Sequence, residues 1–392
     1  MKLPRTTALL LALIVPGIAP VVHAGANGID NGPSAIALSY DGQHLALIAS
    51  DHGNARLELA SPSGLNLRVV DLPGGCAVRS IGWAPKRNLL AASTQCGGKS
   101  DPSGIRSAVW VLDPQAGKRP RKLADLKGTA RDVQWIVDGN VGSWIAFLHA
   151  SDGNGNAVVA KVPLAGGSVQ AITPATLDVH EFRCSLYYWN NLMFTAVPVG
   201  VDNSAIVPEL FVNNLADNAA PTLVFDPNTA KGALHGIYVT EPRGGESGLI
   251  FLGKTSRYSS SGNLYRVAVK AGATPVNATE NLRVKVSWFE LGYGGWLATQ
   301  VTNGKTKVVK LSVYETWARR TAVLFTLPGT ISDGRAPSSF STTIKTFRNG
   351  NVPRIAFLQR ASPRGPAVAR VGRIGTQPPP RIELAKEAIA AR

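Results

Sequence analysis

This sequence predicts an all-β fold, a seven-bladed β-propeller of four-stranded antiparallel blades. Three observations predict it. A strand, a turn and an apolar partner strand recur as one phrase seven times along the chain. Each phrase is followed by a third alternating run and usually by a short fourth, at a spacing of roughly fifty residues that suits four strands and their turns. Helical periodicity is almost absent, while 40 glycines and 26 prolines supply turns.

In order, the hairpin phrases occupy 35–49 (AIALSYDGQHLALIA), 80–93 (SIGWAPKRNLLAAS), 132–148, 181–196, 235–253, 285–299 and 343–358. Third strands are expected at 57–60, 109–113, 158–163, 210–215, 264–269, 308–313 and 367–371, with fourth strands such as 169–173 and 322–325. Apolar and polar residues alternate through these runs, as in half-buried antiparallel strands. The clearest join is 263–304, which ends one unit and begins the next. Only 382–391 carries a weak helical period, and it reads as a last blade strand running into the tail. Four-stranded units repeated around an axis bury their sheets and leave little open edge. Several stacked sandwiches would use the same hairpins, but the regular period favours the ring.

The chain has 392 residues, 44% hydrophobic and 17% charged, a composition that suits an all-β globule better than a disordered chain. Residues 1–24 have the parts of a secretory signal: Lys2 and Arg5, an apolar run at 8–18 broken by Pro16, and Val22-His23-Ala24 as a cleavage site. The run is short for a transmembrane helix, which leaves a retained anchor as the weaker alternative. No cysteine follows the cleavage site, so a lipid anchor is not expected. The domain plan is therefore a signal at 1–24, a lead-in at 25–34, the propeller at 35–384 and a tail at 385–392. An exported protein, periplasmic or secreted and without a transmembrane anchor, is expected.

The formal net charge is +16, and losing Lys2 and Arg5 leaves the mature chain strongly basic. That balance favours anionic partners, envelope glycans or a membrane surface among them. The cations are scattered, however, and the densest cluster, Arg119 to Lys122 (RPRK), reads as a solvated loop. No specific nucleic-acid partner is expected.

Export permits disulfides. Cys76 and Cys96 stand equally far from a turn near Lys86, which places them opposite one another on a hairpin. A cross-strand bridge is expected, with two separate buried thiols as the alternative. Cys184 is left over as a small core residue.

Motifs with chemistry are weak. His44, His52, His149, His180 and His235 show no metal-ligand spacing, and no Cys-x-x-Cys occurs. His180 beside Glu181 is the most tempting pair, although a structural histidine at a blade entry is the plainer reading. Asp152, Asn154 and Asn156 resemble the opening of a calcium loop, but Pro163 stands where the closing glutamate belongs. A Gly/Asn turn explains them better. Gly244-Gly245 and the GYGG at 292–295 are turns, since no helix follows to hold a phosphate. Asn277-Ala278-Thr279 is formally a glycosylation acceptor. Tyr187, Tyr188 and Trp189 are a speculative ligand contact, with blade packing as the plainer reading. No metal or cofactor is expected.

Certain residues also carry a resemblance. Tyr40-Asp41-Gly42 followed by Leu45-Ala46, and Trp83-Ala84-Pro85 followed by Leu89-Leu90-Ala91, resemble a Trp-Ser-Pro-Asp-Gly, Leu-Ala-Phe blade signature. It belongs to TolB-like propellers and to the propellers of prolyl oligopeptidase (S9) family peptidases. NLYRV at 263–267 is similar to their third blade strand. Ile172-Thr173-Pro174 through Asp178 to Phe182 is similar to the link between blades in secreted S9 peptidases. Ile355-Ala356-Phe357-Leu358 with Ser362-Pro363 and Pro366 is similar to their last blade. The resemblance spans 35–384 and departs from the signature near Tyr238 and Phe347. Seven copies fit an S9-type propeller better than the smaller TolB ring.

An S9 peptidase continues into an α/β-hydrolase domain. No Gly-x-Ser-x-Gly elbow occurs in this sequence, so no S9 catalytic residue carries over to it. The expectation is a non-catalytic propeller that binds a peptide, protein or glycan, by fold-level analogy. One alternative is the substrate-gating propeller of an S9-type serine peptidase whose catalytic domain is absent or separately encoded. Another is a TolB-like partner in an envelope complex. A propeller lyase or glycosidase would need carboxylates gathered at the axis, which the linear sequence does not single out.

Overall fold

A computed structural model describes residues 33–328 apart from short loop segments, together with 354–360, 367–374 and 382–384. The expected signal at 1–24 lies outside the described residues, as do His52, Asp152, Asn154, Tyr187, Tyr188 and Trp189. Among the described residues no helix is long and apolar enough to cross a membrane.

The described strands form seven antiparallel sheets, each a simple up-and-down meander. The first holds β1 (Pro33–Leu38), β2 (Leu45–Asp51), β3 (Asn54–Ala60) and β4 (Arg68–Val70). The second holds β5 (Ala77–Trp83), β6 (Leu90–Cys96), β7 (Arg106–Leu112) and β8 (Arg121–Lys127). The third holds β9 (Thr129–Asp138), β10 (Val141–Ala150), β11 (Val158–Pro163) and β12 (Gln170–Ala171). The fourth holds β13 (Leu177–Cys184), β14 (Asn191–Pro198), β15 (Glu209–Asn214) and β16 (Thr222–Phe225). The fifth holds β17 (Tyr238–Gly245), β18 (Gly248–Lys254), β19 (Asn263–Val267) and β20 (Val276–Asn277). The sixth holds β21 (Val286–Gly292), β22 (Gly295–Thr302), β23 (Lys305–Tyr314) and β24 (Trp317–Pro328). The last holds β25 (Arg354–Arg360), β26 (Ala367–Ile374) and β27 (Ile382–Leu384). Its β25 matches the second strand of the phrase at 343–358, whose first strand falls outside the described residues.

The core lies between sheets, not within one. Ala46, Ile48 and Leu57 of the first sheet pack with Val78, Leu90 and Trp110 of the second. Val109 and Val111 of the second meet Val133, Trp135 and Phe147 of the third. The third meets the fourth through Leu148, Val159, Phe182 and Phe194, and the fourth meets the fifth through Leu210, Val224, Phe251 and Tyr265. Ile36, Leu38, Leu45 and Leu47 of the first sheet then pack against Leu358 and Ala369 of the last. The first and last sheets therefore meet as sequential neighbours do, and the chain is a β-propeller. Phe147, Phe182, Phe194 and Phe251 are fully buried at these boundaries, as is Phe289 of the sixth sheet; truncating one of them to alanine costs about 3–5 kcal/mol.

Specific polar contacts fix the rotation of the first three sheets on one another. Trp83 Nε1 donates to the Ala37 carbonyl at 3.0 Å, and Trp135 Nε1 to the Gly82 carbonyl at 2.8 Å. A Cβ on Gly82 would lie 2.8 Å from the Val133 carbonyl oxygen, so only glycine lets β5 approach β9 this closely. In the first hairpin turn, Asp41 Oδ1 accepts from Ser39 Oγ at 2.6 Å and from the Gln43 N–H at 2.9 Å. Its Oδ2 accepts from Asn88 Nδ2 in the matching turn of the second sheet, at 2.7 Å. The aspartate of the blade signature thus closes its own turn and ties it to a neighbour.

Cys76 and Cys96 flank the ends of the paired β5 and β6, with Cα atoms 4.8 Å apart and sulfurs joined. Cys184 is free and buried, and burial pushes its thiol up to about 12.

Candidate functional site

The first strand of each of six sheets lies at one end of its sheet's strand order, although on β21 Val286 also bridges to Gly262 on its outer edge. These strands, β1, β5, β9, β13, β17 and β21, also contact one another in succession, so their free edges surround the axis. All six carry a β-bulge against their partner. The extra residue is Ser34 on β1, Arg79 on β5, His180 on β13 and Ser287 on β21. On β9 it falls at Asp132–Val133, and on β17 at Glu241–Pro242. Asp132 and Glu241 have φ of 58° and 52°, the left-handed backbone that a bulge residue adopts. A bulge re-aims a side chain, and here every bulge re-aims a polar or charged one.

An axial strand edge leaves main-chain groups unpaired, and side chains of the preceding sheet satisfy several of them. Ser80 Oγ accepts from the Val133 N–H at 3.1 Å. Gln134 donates to the Phe182 carbonyl at 2.8 Å and accepts from the Cys184 N–H at 3.0 Å. Glu181 Oε2 accepts from the Glu241 N–H and its Oε1 from Thr240 Oγ1, both at 2.7 Å. The bulges and the bridges that serve them are parts of one construction.

Charge gathers where β9, β13 and β17 meet. Glu241 and Arg243 have side chains only 8% and 9% exposed and approach to 3.4 Å. Burial pushes the Glu241 carboxyl above its ordinary value; Arg243 opposes this and Glu181 adds to it. Burial, and then the neighbouring Arg243, lowers the pKa of Arg183. His180 Nε2 lies 3.7 Å from Asp178 Oδ2, yet burial outweighs that carboxylate and lowers the imidazole's pKa. Tyr238 is pushed up, first by burial and then by Glu181. Arg243 also faces the Phe289 ring of β21, 5.7 Å from its centroid. Across the strand from Glu181 stands Thr195, 1% exposed, whose hydroxyl has no partner among the described residues. On the loop after β18, Arg257 lies over the ring of Tyr258, which is 76% exposed.

Among the residues singled out from the sequence, His180 and Glu181 fall within this cluster. His149 accompanies the Lys127 carbonyl at 2.9 Å, and His235 the Ala230 carbonyl at 3.2 Å, both away from it. Asn277 accepts from the N–H and hydroxyl of Thr279 in the link between the fifth and sixth sheets. Sequence reasoning missed Asp132, Arg183, Glu241 and Arg243. A signal for them exists: TARDV, DVHEF and VTEPR each break strict alternation with charge at the same place in the unit. Among the described residues no three His, Cys, Asp or Glu side chains are grouped to hold a metal.

No family model matches the chain, and no curated protein matches it in sequence. It is similar in structure to a puromycin-hydrolyzing peptidase from Mycobacterium tuberculosis, at a TM-score of 0.54 and 12% identity over 91% of this chain and 54% of that one. A prolyl endopeptidase structure is similar at 0.53 and 12%, over 92% of this chain and 48% of that one. The β-propeller domain of the Trilobed protease from Pyrococcus furiosus aligns at 0.48 and 10%, over 74% and 84%. The chain spans about half the length of the first two peptidases. At these identities the likeness is one of fold.

Proposed function

We propose that this chain is an exported β-propeller that binds peptide or protein segments at the polar mouth of its axis. The observation that carries the reading is the succession of bulges. Six inner strands each turn a polar side chain out of register at matching places, and three of those strands bring arginine, histidine and carboxylate side chains together. Packing alone gives no reason for such a ring, since the apolar cores lie between the sheets. The basic chain and the joined Cys76 and Cys96 fit a protein working among anionic partners in an oxidising compartment.

The test is binding to a peptide array by the full chain and by a variant carrying Arg79→Ala, Arg131→Ala and His180→Ala. Peptide capture by the first and loss in the second, with unchanged circular dichroism and melting temperature, is expected. Equal capture by both would remove the axial mouth from the account. N-terminal sequencing of the exported product is expected to begin at Gly25; an intact Met1 would remove the signal.

A second reading is favoured by the fold shared with two peptidases of about twice the span. In it the propeller gates substrate for a hydrolase. Chromogenic peptide cleavage in a fraction co-purified with the chain, and not by the purified chain, would support it.

A further inference from the structure

The outer rim of the first three blades carries mostly positive charge at one end of the propeller. In the sequence the cations look scattered, but the turn between third and fourth strands comes at the same end of each blade, and there it gathers them. Arg68 opens β4 of the first blade. Lys118 and Arg119 sit in the second blade's turn, with Arg121 and Lys122 following at the start of β8. Lys161 lies on β11 of the third blade, two residues before that strand ends. All are exposed except Lys161, which is half-buried. The bulges of these blades fall toward the starts of β1, β5 and β9, at the other end, so the rim is separate from the axial mouth.

Two side chains join the turns into a line. Arg68 Nη2 donates to the Pro114 carbonyl in the second blade's turn at 2.8 Å, and Arg121 Nη2 to the Leu164 carbonyl in the third blade's turn at 2.6 Å. Each arginine thus carries positive charge from one blade to the next while staying exposed to solvent. Indole rings hold two of the ammonium groups. Lys122 Nζ lies 5.6 Å from the centre of the Trp110 ring, and Lys161 Nζ 4.5 Å from that of Trp144. Among the described residues only Lys122 of the six has an ion pair, with Asp125 at 2.8 Å. At the same end, Asp41 is taken up by Ser39, Gln43 and Asn88, and Asp113 is half-buried and already engaged.

We infer that this rim binds an extended anionic glycan, a chain with sulfate, phosphate or carboxylate groups along it. The occupant follows from charge complementarity and from what the rim lacks. Cations running in a line from blade to blade match anionic groups spaced along a chain, not one small anion. Single-stranded nucleic acid takes exposed rings on which its bases stack. Here Trp110 is 4% exposed beneath Lys122, and Lys161 covers Trp144. A bilayer surface takes buried apolar area beside its charge attraction. Among the described residues of these three blades, Val69 is the one strongly exposed large apolar side chain. The rim and the axial mouth are independent, and failure of either leaves the other standing.

The test uses the full chain in biolayer interferometry, with dextran sulfate as the probe and neutral dextran as the reference. Dextran sulfate is expected to bind, with affinity falling as salt rises from about 50 to about 200 mM, and neutral dextran not to bind. Lys118→Gln/Arg119→Gln/Lys161→Gln is expected to bind at least about tenfold more weakly than wild type. Lys231, Lys270 and Lys285 are exposed cations of other segments, and Lys231→Gln/Lys270→Gln/Lys285→Gln, with the same net charge as the rim variant, is expected to stay within about twofold of wild type. Equal loss in the two variants assigns binding to net charge and overturns the rim. A second measurement needs no variant: lysine acetylation read by mass spectrometry, with and without the polymer. Protection of Lys118, Lys122 and Lys161, and not of Lys231 and Lys270, is expected; uniform protection or none overturns the inference. Tighter binding to duplex DNA or to phosphatidylglycerol vesicles, at matched concentration of anionic groups, overturns the glycan in favour of that partner. Absence of dextran sulfate binding overturns the inference outright.

Discussion

Glu181 Oε2 accepts a hydrogen bond from the main-chain N–H of Glu241 at 2.7 Å, across the boundary between two sheets. The N–H belongs to a residue bulged out of its own ladder, so the neighbouring sheet supplies what the ladder cannot. Replacing Glu181 by alanine leaves this N–H and the Thr240 hydroxyl without their acceptor. A loss of about 1–3 kcal/mol is expected, read as a lower urea midpoint. Glu181→Gln keeps one carbonyl oxygen and is expected to lose less. Equal midpoints for all three proteins would show the bridge to be incidental.

The protonation of Glu241 gives stability a pH dependence whose sign is fixed. Its folded pKa lies above the ordinary 4.5, chiefly through burial, so folding favours the neutral acid. That contribution is fully present below 4.5 and is lost as pH rises through the folded value. Unfolding free energies of wild type and Glu241→Gln, compared from about pH 4 to about pH 8, are expected to diverge, with wild type losing ground as pH rises. His180 acts in the opposite sense. Its folded pKa lies below 6.5, so its contribution is present above 6.5 and lost as pH falls through the folded value. Parallel profiles for wild type and the Glu241 variant would exclude a raised carboxyl.

Gly82 holds the second and third sheets at close range. A Cβ there meets the Val133 carbonyl at 2.8 Å, a rigid main-chain atom that cannot rotate away. Gly82→Ala is expected to cost about 1–3 kcal/mol and to disturb the Trp135 indole bond to the Gly82 carbonyl. Thermal melting followed by tryptophan fluorescence reads both. A variant with wild-type melting and emission would mean the sheets separate freely.

The Cys76–Cys96 bridge closes a short loop, with a sequence separation of 20. Loops of this size restrict the unfolded chain by about 3 kcal/mol. A reductant is therefore expected to lower the melting temperature of wild type and to leave Cys76→Ser/Cys96→Ser unchanged. An identical response in the two proteins would assign the effect to something other than this bridge.

Six of the hairpin phrases, from 35–49 to 285–299, could be read from the sequence because alternation and turn residues are local properties. A strand half-buried in a sheet repeats every two residues whatever surrounds it, so 158–163 marks β11 to the residue. The equal spacing of Cys76 and Cys96 about one turn is local in the same way, and the register of β5 on β6 sets them side by side. The axial cluster is a different matter. In the sequence Asp132, Glu241 and Arg243 look like solvated positions on alternating strands. Nothing in the chain's order states that β9, β13 and β17 lie side by side, about fifty residues apart, at the axis. The bulges shift register by one residue, which moves every following side chain to the other face. Whether His180 or Glu241 turns toward core or axis therefore depends on that shift. Local pattern determined the strands and their pairing into blades. Tertiary structure decided which charges meet, because burial and proximity between sheets exist only once neighbouring blades are packed.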